Sequence, residues 1–257
     1  NNLPQLIKLL QSKRIDVILA DREHFVQATK EIKMDVNRFQ SRFFRYVPLG
    51  VYFNEQFLNQ NPDFLVKFNQ QITGCSTTRF ALSDYEQQLI KELLTRKVER
   101  WKRLPKLEAL LKERNLKSRR FSNQEIAERD KKWTQAFLHD DFSYSIKLVD
   151  QEMSAQLREI KKQSQDTITE IIVTDARGLN VAISDMTSDY WQGDEAKFTE
   201  VFSKPANTMH FGEINYDEST KRFQIHLSVP LYSEEKFEPL GVMVFGVDVE
   251  KVLSQAQ

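Results

Sequence analysis

Cysteine is almost missing from this chain of 257 residues, which has a single one, Cys75. One thiol cannot form an intramolecular disulfide and cannot supply a multi-cysteine metal site. None of the four histidines stands near it in the sequence, which disfavours a catalytic role for the thiol. The sequence therefore predicts neither a cysteine nucleophile nor a resident metal.

Long apolar runs and an excess of one charge are also lacking. No stretch approaches the roughly 18 apolar residues of a membrane-spanning helix, and the start of the chain carries no basic-then-apolar signal peptide. Lysine and arginine number 37, as do aspartate and glutamate, so the formal net charge is +0. This total provides no long-range attraction to nucleic acid or to an anionic membrane.

Motifs of the common enzyme classes are absent as well. The sequence has no Gly-x-Ser-x-Gly, His-Glu-x-x-His, Walker or dinucleotide-binding pattern. Two carboxylate pairs, at 140–141 and 194–195, could supply acid and base groups, but neighbouring side chains point in different directions. We therefore predict a binding protein rather than an enzyme, with no catalytic residue, no cofactor and no metal.

The chain is long enough for two ordinary domains. Hydrophobic residues make up 40% of it and charged residues 29%, which suits a packed core beneath a well-solvated surface. Its patterns divide it into a partial α/β segment at 1–78, a helical connector at 79–129 and a third part at 130–257.

The first part mixes helix and strand patterns. Apolar residues at helical spacing alternate with short β-branched runs, and a glycine marks the end of the last helix. Helices are predicted at 3–12, 21–32 and 61–73, and strands at 15–20 and 47–53.

Three stretches of this part resemble the C-terminal part of a type-3 periplasmic solute-binding protein of the amino-acid-transporter kind. They are KRIDVILADR (13–22), PLGVYFN (48–54) and NPDFLVKFN (61–69). The resemblance covers roughly a third of such a bilobed domain, so a complete ligand site of that kind cannot be built here. Either an N-terminal portion has been removed, or the segment serves as a structural platform.

From residue 83 to about 165 the periodicity is helical. Capping-box patterns begin helices at Ser83 and Ser122, and a long helical stretch is predicted to run through Trp133 and end near 168. Residues 100–132 have a basic excess, which is typical either of nucleic-acid binding or of solvated helix faces. We favour solvated faces and no nucleic-acid partner, because no aromatic stacking platform or recognition helix accompanies the charge.

After residue 166 the pattern changes from helical periodicity to alternation. Five strands are predicted, and the first two form a hairpin. The fold class is therefore α+β, with a long helix packed on one face of a five-stranded antiparallel sheet and loops on the other. The strands are predicted at 169–175, 180–184, 211–216, 222–232 and 240–249.

This order resembles the single Cache domain, the extracytoplasmic PAS-like module of bacterial sensors and chemoreceptors. The resemblance implies a Cache/PAS-like sheet, a periplasmic or other extracytoplasmic location, and no bond-breaking chemistry. It also implies a small ligand between the inner sheet face and the loop after the second strand. The motifs are IIVTDARGLNVAISD (171–185), TSDYWQGDEAKF (187–198), FGEINYDEST (211–220), HLSVPLY (226–232) and GVMVFGVDVEKVL (241–253).

The loop after the second strand has a composition suited to a small polar ligand. Tyr190 and Trp191 stand among the carboxylates of Asp189, Asp194 and Glu195, so aromatic faces and charge-assisted hydrogen bonds are both available. An amine or an amino acid fits best. Alternatively, the aromatics close the core as a lid while the carboxylates cap the helix that follows.

The fourth predicted strand carries further candidate ligand-binding residues. Alternation places Gln224, His226 and Ser228 on the ligand side and the apolar residues between them toward the helix. A histidine satisfied within the core is an equal alternative for His226. Glu213 is expected at the opposite end of the pocket, where a salt-linked or solvent-exposed role is the favoured alternative.

The Cache resemblance also bears on partners. It implies a membrane-bound kinase, cyclase or chemoreceptor that reads ligand capture, and dimerisation through the long helix is expected. The alternative is a ligand-free scaffold in which the helical region 83–165 docks another subunit. Thermal stability distinguishes the two, because a ligand that binds only the folded form raises it.

Overall fold

The computed structural model describes residues 2–40, 53–65, 67–68, 81–217 and 222–255. The chain forms two compact units, Asn1–Phe43 and Phe44–Gln257. Cys75 and most of the strand predicted at 47–53 lie outside the described residues. The domain boundaries at 78 and 129 stay predictions.

The first unit is helical where it is regular. α1 (Leu3–Gln11) and α2 (Arg22–Glu31) each begin at a side chain that accepts a backbone N–H of the first turn, Asn2 and Asp21 respectively. A short 3-10 helix, Val36–Arg38, follows. Both α-helices match their predicted positions to within one residue at each end.

The strand predicted at 15–20 is wrong. These residues are irregular, and the side chains of Val17 and Leu19 are 81% and 78% exposed. A strand needs a neighbour that satisfies its backbone groups and covers one of its faces. No strand in the described ranges pairs with this segment, so its composition is not realised as a strand.

The second unit contains a cluster of phenylalanine rings near its start. α3 (Glu55–Gln60), which the sequence pattern does not predict, is capped by Asn54. The helix predicted from residue 61 is helical at 64–65 and 67–68, and its predicted end lies outside the described residues. The rings in contact, with centroids 4.9 to 5.6 Å apart, are Phe53, Phe57, Phe64 and Phe68.

A run of helices precedes the sheet. Both predicted capping boxes are confirmed: the side chains of Ser83 and Ser122 each exchange hydrogen bonds with the glutamate three residues on. None of the helices in the described ranges combines the length and apolar character that a membrane crossing needs. The helices are α4 (Asp84–Trp101), α5 (Leu107–Ser118), α6 (Asn123–Leu138), α7 (Ser145–Leu148) and α8 (Gln151–Gln163).

The long helical stretch predicted through Trp133 is divided into α6, α7 and α8. The backbone at Asp140 is left-handed, with φ 54°, and this conformation ends a helix because it cannot continue the right-handed winding. α8 packs against β1 and β2, where Ser154 Oγ accepts the backbone N–H of Ile183 at 3.1 Å. The longest of these helices, α4 of 18 residues, contacts β6 through Trp101.

The sheet is antiparallel throughout, in the order β2-β1-β6-β5-β3, and β4 also pairs with β5. The α+β fold with five strand positions is confirmed. The third predicted strand is divided into two short pieces that share one edge of β5. The strands are β1 (Ile168–Asp175), β2 (Asn180–Ile183), β3 (His210–Phe211), β4 (Asn215–Asp217), β5 (Arg222–Tyr232) and β6 (Pro239–Asp248). Two short helices, α9 (Ala196–Thr199) and α10 (Val249–Gln255), complete the unit.

Both faces of the sheet are covered. On one face Trp101 of α4 packs against Phe245, with ring centroids 5.3 Å apart. The neighbouring residue, Val244, points to the other face, where it belongs to a buried cluster with Trp133 of α6 and Tyr190. The prediction that loops alone cover this second face is therefore wrong. We call the face that carries Val244 the inner face.

Candidate ligand-binding site

The loop 187–197 lies alongside β2 as an additional extended segment. Leu179 and Trp191 form a β-bridge, and the backbone N–H of Asn180 donates to the carbonyl of Tyr190 at 3.0 Å. Gly178, with φ 78°, allows this approach, because a Cβ there would lie 2.4 Å from the Cα of Gly193. The loop is thus part of the sheet edge rather than a free flap.

A single carboxylate on α6 holds the two aromatic residues of the loop. Oδ1 of Asp130 accepts the backbone N–H of Tyr190 at 2.8 Å and that of Trp191 at 2.9 Å. The indole Nε1 of Trp133, one turn further along α6, donates to the carbonyl of Thr187 at 2.7 Å. Sequence reasoning missed Asp130, since nothing local in its surroundings indicates a partner 60 residues away.

The two aromatic candidates have different environments. Tyr190 is only 5% exposed, and its ring stacks on that of Trp133 with centroids 5.4 Å apart. Burial raises the pKa of its phenol to about 12. Trp191 is partly exposed, and its Nε1 donates to the carbonyl of Arg177 at 2.9 Å. Tyr190 is therefore a core residue, as the lid interpretation expects, while part of Trp191 faces solvent.

The backbone carbonyl of Asp189 is the centre of a buried polar network. It accepts three hydrogen bonds, from Asn180 Nδ2 at 3.0 Å, from Thr187 Oγ1 at 2.7 Å and from Gln192 Nε2 at 3.1 Å. Because a carbonyl can only accept, both side-chain amides must direct their NH2 groups toward it. Their oxygens, Asn180 Oδ1 and Gln192 Oε1, are buried and have no hydrogen-bond partner in the part of the chain that the structure describes.

Carboxylates surround this network. Gln192 Nε2 also donates to Asp189 Oδ1 at 2.9 Å. Burial raises the pKa of the Glu195 carboxyl, Lys197 at 3.2 Å lowers it, and the carboxylate of Asp189 raises it further. Asp194 is exposed. The loop therefore presents acceptors and negative charge, with one lysine opposing them.

The candidates on β5 lie on the inner face. His226 Nε2 is 3.0 Å from Oε1 of Glu170, and Gln224 Oε1 accepts a hydrogen bond from Thr169 Oγ1 at 2.8 Å. Ser228 is fully buried, and no described group bonds its hydroxyl. Two of the three predicted residues thus have partners across the sheet. Sequence reasoning missed Glu170, because cross-strand pairing depends on register.

The loop begins beside β2 and ends beside β5. Its backbone bonds to Asn180 of β2, and α9, which overlaps its end, contacts β5. The inner face between these two strands carries Ile172 and Val244, packed in the buried cluster with Phe198 and Val201. Glu213 is exposed between β3 and β4. No trio of His, Cys, Asp or Glu side chains in the described ranges is placed to hold a metal.

Solved structures similar to this chain are known. Three of them are sensor domains. The sensor domain of the Vibrio cholerae histidine kinase DctB is 18% identical, with 58% of this chain and 59% of that one covered and a TM-score of 0.32. The ligand-binding domain of the Campylobacter jejuni chemoreceptor Tlp3, in complex with 4-methylisoleucine, is 12% identical, with coverage of 66% and 62% and a TM-score of 0.31.

The third is the ligand-binding domain of the Pseudomonas aeruginosa amino-acid chemoreceptor PctC, in complex with GABA. It is 18% identical, with 49% of this chain and 62% of that one covered and a TM-score of 0.30. This chain therefore spans less than two thirds of each of the three. No protein-family model and no curated protein matches the sequence. At such identities and TM-scores the likeness does not establish what this chain binds.

Proposed function

We propose that this chain is an extracytoplasmic sensor domain that binds a small polar metabolite, an amine or an amino acid, at the loop 187–197. One observation carries the proposal: Asn180 Oδ1 and Gln192 Oε1 are buried acceptors without a donor in the described residues. Leaving such a group unsatisfied costs about 1–3 kcal/mol. A ligand that brings an N–H donor to either oxygen removes this cost for that oxygen.

The charges around these oxygens favour a cationic donor. Asp189 and Glu195 are close enough for the carboxylate of one to raise the pKa of the other, so a positive group between them relieves their repulsion. A water molecule could also donate to the two oxygens, but it brings no charge. A primary ammonium group supplies three donors and the charge together, and the partly exposed ring of Trp191 offers it an aromatic face.

The two unsatisfied oxygens decide where the proposal places the ligand. Asn180 is the first residue of β2, and Gln192 lies within the loop. The proposal therefore assigns the whole ligand to the loop. It gives His226 and Gln224 a different role, since their side chains bind partners across the sheet.

Location and partner belong to the same proposal. The Cache motifs of the sequence support a location in the periplasm or otherwise outside the cytoplasm. They also support a membrane-bound kinase, cyclase or chemoreceptor as the partner that responds to ligand binding. Dimerisation through a helix is part of the proposal, and α4 is the helix of suitable length. Asp130 connects ligand to output in this scheme, because it ties the loop to α6.

A ligand-free scaffold is the second candidate function. One observation favours it: large apolar side chains are exposed on the helices that would dock a partner. Leu116 of α5, Leu138 at the end of α6 and Ile146 of α7 are 56%, 72% and 46% exposed. On this alternative the inner face is a closed core and the loop has no ligand.

A thermal-shift screen tests the proposal. Primary amines and amino acids should raise the melting temperature of the wild-type chain, whereas matched carboxylic acids without an amino group should not. Gln192→Met, which keeps the volume and removes the acceptor, should abolish the shift, and Asp194→Asn, an exposed carboxylate of the same loop, should retain it. A library that shifts nothing, or a shift that survives in Gln192→Met, contradicts the proposal.

A further inference from the structure

Three side chains on the inner face of β5 reach across the sheet in succession. His226 pairs with Glu170 of β1 at 3.0 Å. Two residues along, Gln224 accepts from Thr169 of β1 at 2.8 Å. Two residues further, Arg222 lies 3.3 Å from Oδ2 of Asp248 at the end of β6. We call these three pairs the cross-sheet row.

The row crosses β6 at a residue without a side chain. In the strand register His226 is opposite Gly246, and Gly246 is opposite Glu170. A Cβ on Gly246 would lie 2.3 Å from Thr169 Oγ1 and 2.7 Å from Glu170 Cγ. Both β1 side chains therefore rest directly on the backbone of β6 at the same residue.

The backbone is irregular where the row reaches β1. The pairing of β1 with β6 shifts register between Ile168 and Glu170, which interrupts the ladder of backbone hydrogen bonds. Just before it, Gln165 and Asp166 are both left-handed, with φ 54° and 65°. Such a conformation is costly for residues with a Cβ. The side-chain pairs of the cross-sheet row therefore supply part of the stabilisation that backbone hydrogen bonds supply elsewhere in the sheet.

The same residues hold α10. Asp248, which pairs with Arg222 through Oδ2, accepts the backbone N–H of Lys251 through Oδ1 at 2.9 Å and so caps the helix. The ammonium of Lys251 is 3.7 Å from Asp166, and the N–H of Asp248 donates to the carbonyl of Thr167 at 3.0 Å. The start of α10 is thus tied to the irregular start of β1, while its residues Val249, Val252 and Leu253 are buried in the core and the helix contacts α4 and β5.

We propose that the cross-sheet row acts as one strap, so that opening the His226–Glu170 pair at its far end releases α10. The first two pairs join β5 to β1 over Gly246. The third joins β5 to Asp248, which caps the helix. When Glu170 or His226 takes another partner, the start of β1 moves within its register shift, and Asp248 and Asp166 move with it. The inference concerns the coupling within the fold and stands whether or not the loop binds an amine.

Amide hydrogen exchange on the whole chain, measured by mass spectrometry, tests the strap. In Glu170→Ala, peptides of α10 should exchange about fivefold faster than in the wild type, because local opening becomes easier when a holding contact is lost. Arg222→Met should give a similar increase, and the double variant should exchange no faster than the faster single variant. Lys161→Ala removes another ion pair of the sheet unit, that with Asp185, and should leave α10 unchanged.

Peptides of the β6 interior report on folding in every variant and should stay protected. If Glu170→Ala loses that protection, the experiment uses Glu170→Gln in its place. The amide keeps the side-chain volume and only weakens the pair with His226. Unchanged exchange in α10 for the folded Glu170 variant, or additive effects in the double variant, would show that the pairs act separately and would overturn the strap.

Discussion

Asp130 and Tyr190 are joined by a hydrogen bond of 2.8 Å from the tyrosine backbone to the aspartate side chain, across 60 residues of sequence. The same oxygen accepts the N–H of Trp191. One carboxylate thus satisfies two donors of the loop. Trp133 of the same helix adds a hydrogen bond, and Trp133 and Ile126 share a buried cluster with Tyr190.

Replacing this carboxylate should loosen the loop. Asp130→Ala leaves two backbone donors without their charged acceptor, and we expect a loss of about 2–4 kcal/mol in the free energy of unfolding. Asp130→Asn keeps an acceptor oxygen and should cost less than half of that. Urea denaturation measures both, and limited proteolysis should cut the loop faster in the alanine variant. Equal losses in the two variants would contradict the role of the acceptor oxygen.

Tyr190 should tolerate loss of its hydroxyl but not of its ring. Tyr190→Phe keeps the stacking on Trp133 and should change stability by less than about 1 kcal/mol, whereas Tyr190→Ala should cost about 3–5 kcal/mol through the cavity that it leaves. Chemical denaturation gives both values. A large effect of Tyr190→Phe would mean that the hydroxyl, rather than the packed ring, matters at this position.

Glu195 should make stability fall as the pH rises. Because burial raises the pKa of its carboxyl in the folded state, the protonated form is favoured by folding. The stability that this preference contributes is fully present below the usual glutamate value of 4.5 and is lost as the pH rises through the folded pKa. Glu195→Gln should therefore be relatively more stable at neutral pH than at pH 4, compared with the wild type. Melting temperatures across this range check the sign, and a difference that does not change with pH would contradict it.

Two glycines of the sheet should respond differently to alanine. At Gly246 a Cβ would lie 2.3 Å from Thr169 Oγ1, whereas at Gly212 the nearest atom would be 3.4 Å away. Gly246→Ala should cost about 1–3 kcal/mol through overpacking and should separate His226 from Glu170. Gly212→Ala should be close to neutral. Denaturation curves of the two variants test this difference. Equal costs would mean that Thr169 and Glu170 of β1, which lie over Gly246, have room to move.

Local signals account for the parts of the fold that the sequence predicts well. The capping boxes at Ser83 and Ser122 need only residues three positions apart, and the alternation of β5 depends on a period of two. For the same reason the placement of Gln224, His226 and Ser228 on one face follows from the sequence alone. Their partners do not, because Thr169 and Glu170 meet them only through the register of three strands.

The wrong and missing predictions depend on distant contacts. The segment 15–20 has the composition of a strand but no described neighbour to pair with, so its pattern is not realised. Trp133 of α6 covers the ring of Tyr190, which the residues of the loop do not reveal, and the role of Tyr190 as a ligand contact stays a prediction. Neither outcome can be predicted from the residues that are neighbours in the sequence. Asn180 and Gln192 were overlooked for a related reason, since only the carbonyl that both amides share reveals their free oxygens.

That shared carbonyl has a consequence for selectivity. It orients both side-chain amides in the absence of a ligand. Their rotamers are therefore already set, and little side-chain conformational entropy is lost on binding. The free energy of binding at oxygens held in this way depends on the N–H groups that the ligand donates and not on its charge alone. Successive methylation of an amine removes those N–H groups one by one while leaving the positive charge in place. A quaternary ammonium ion would therefore donate no hydrogen bond to either oxygen.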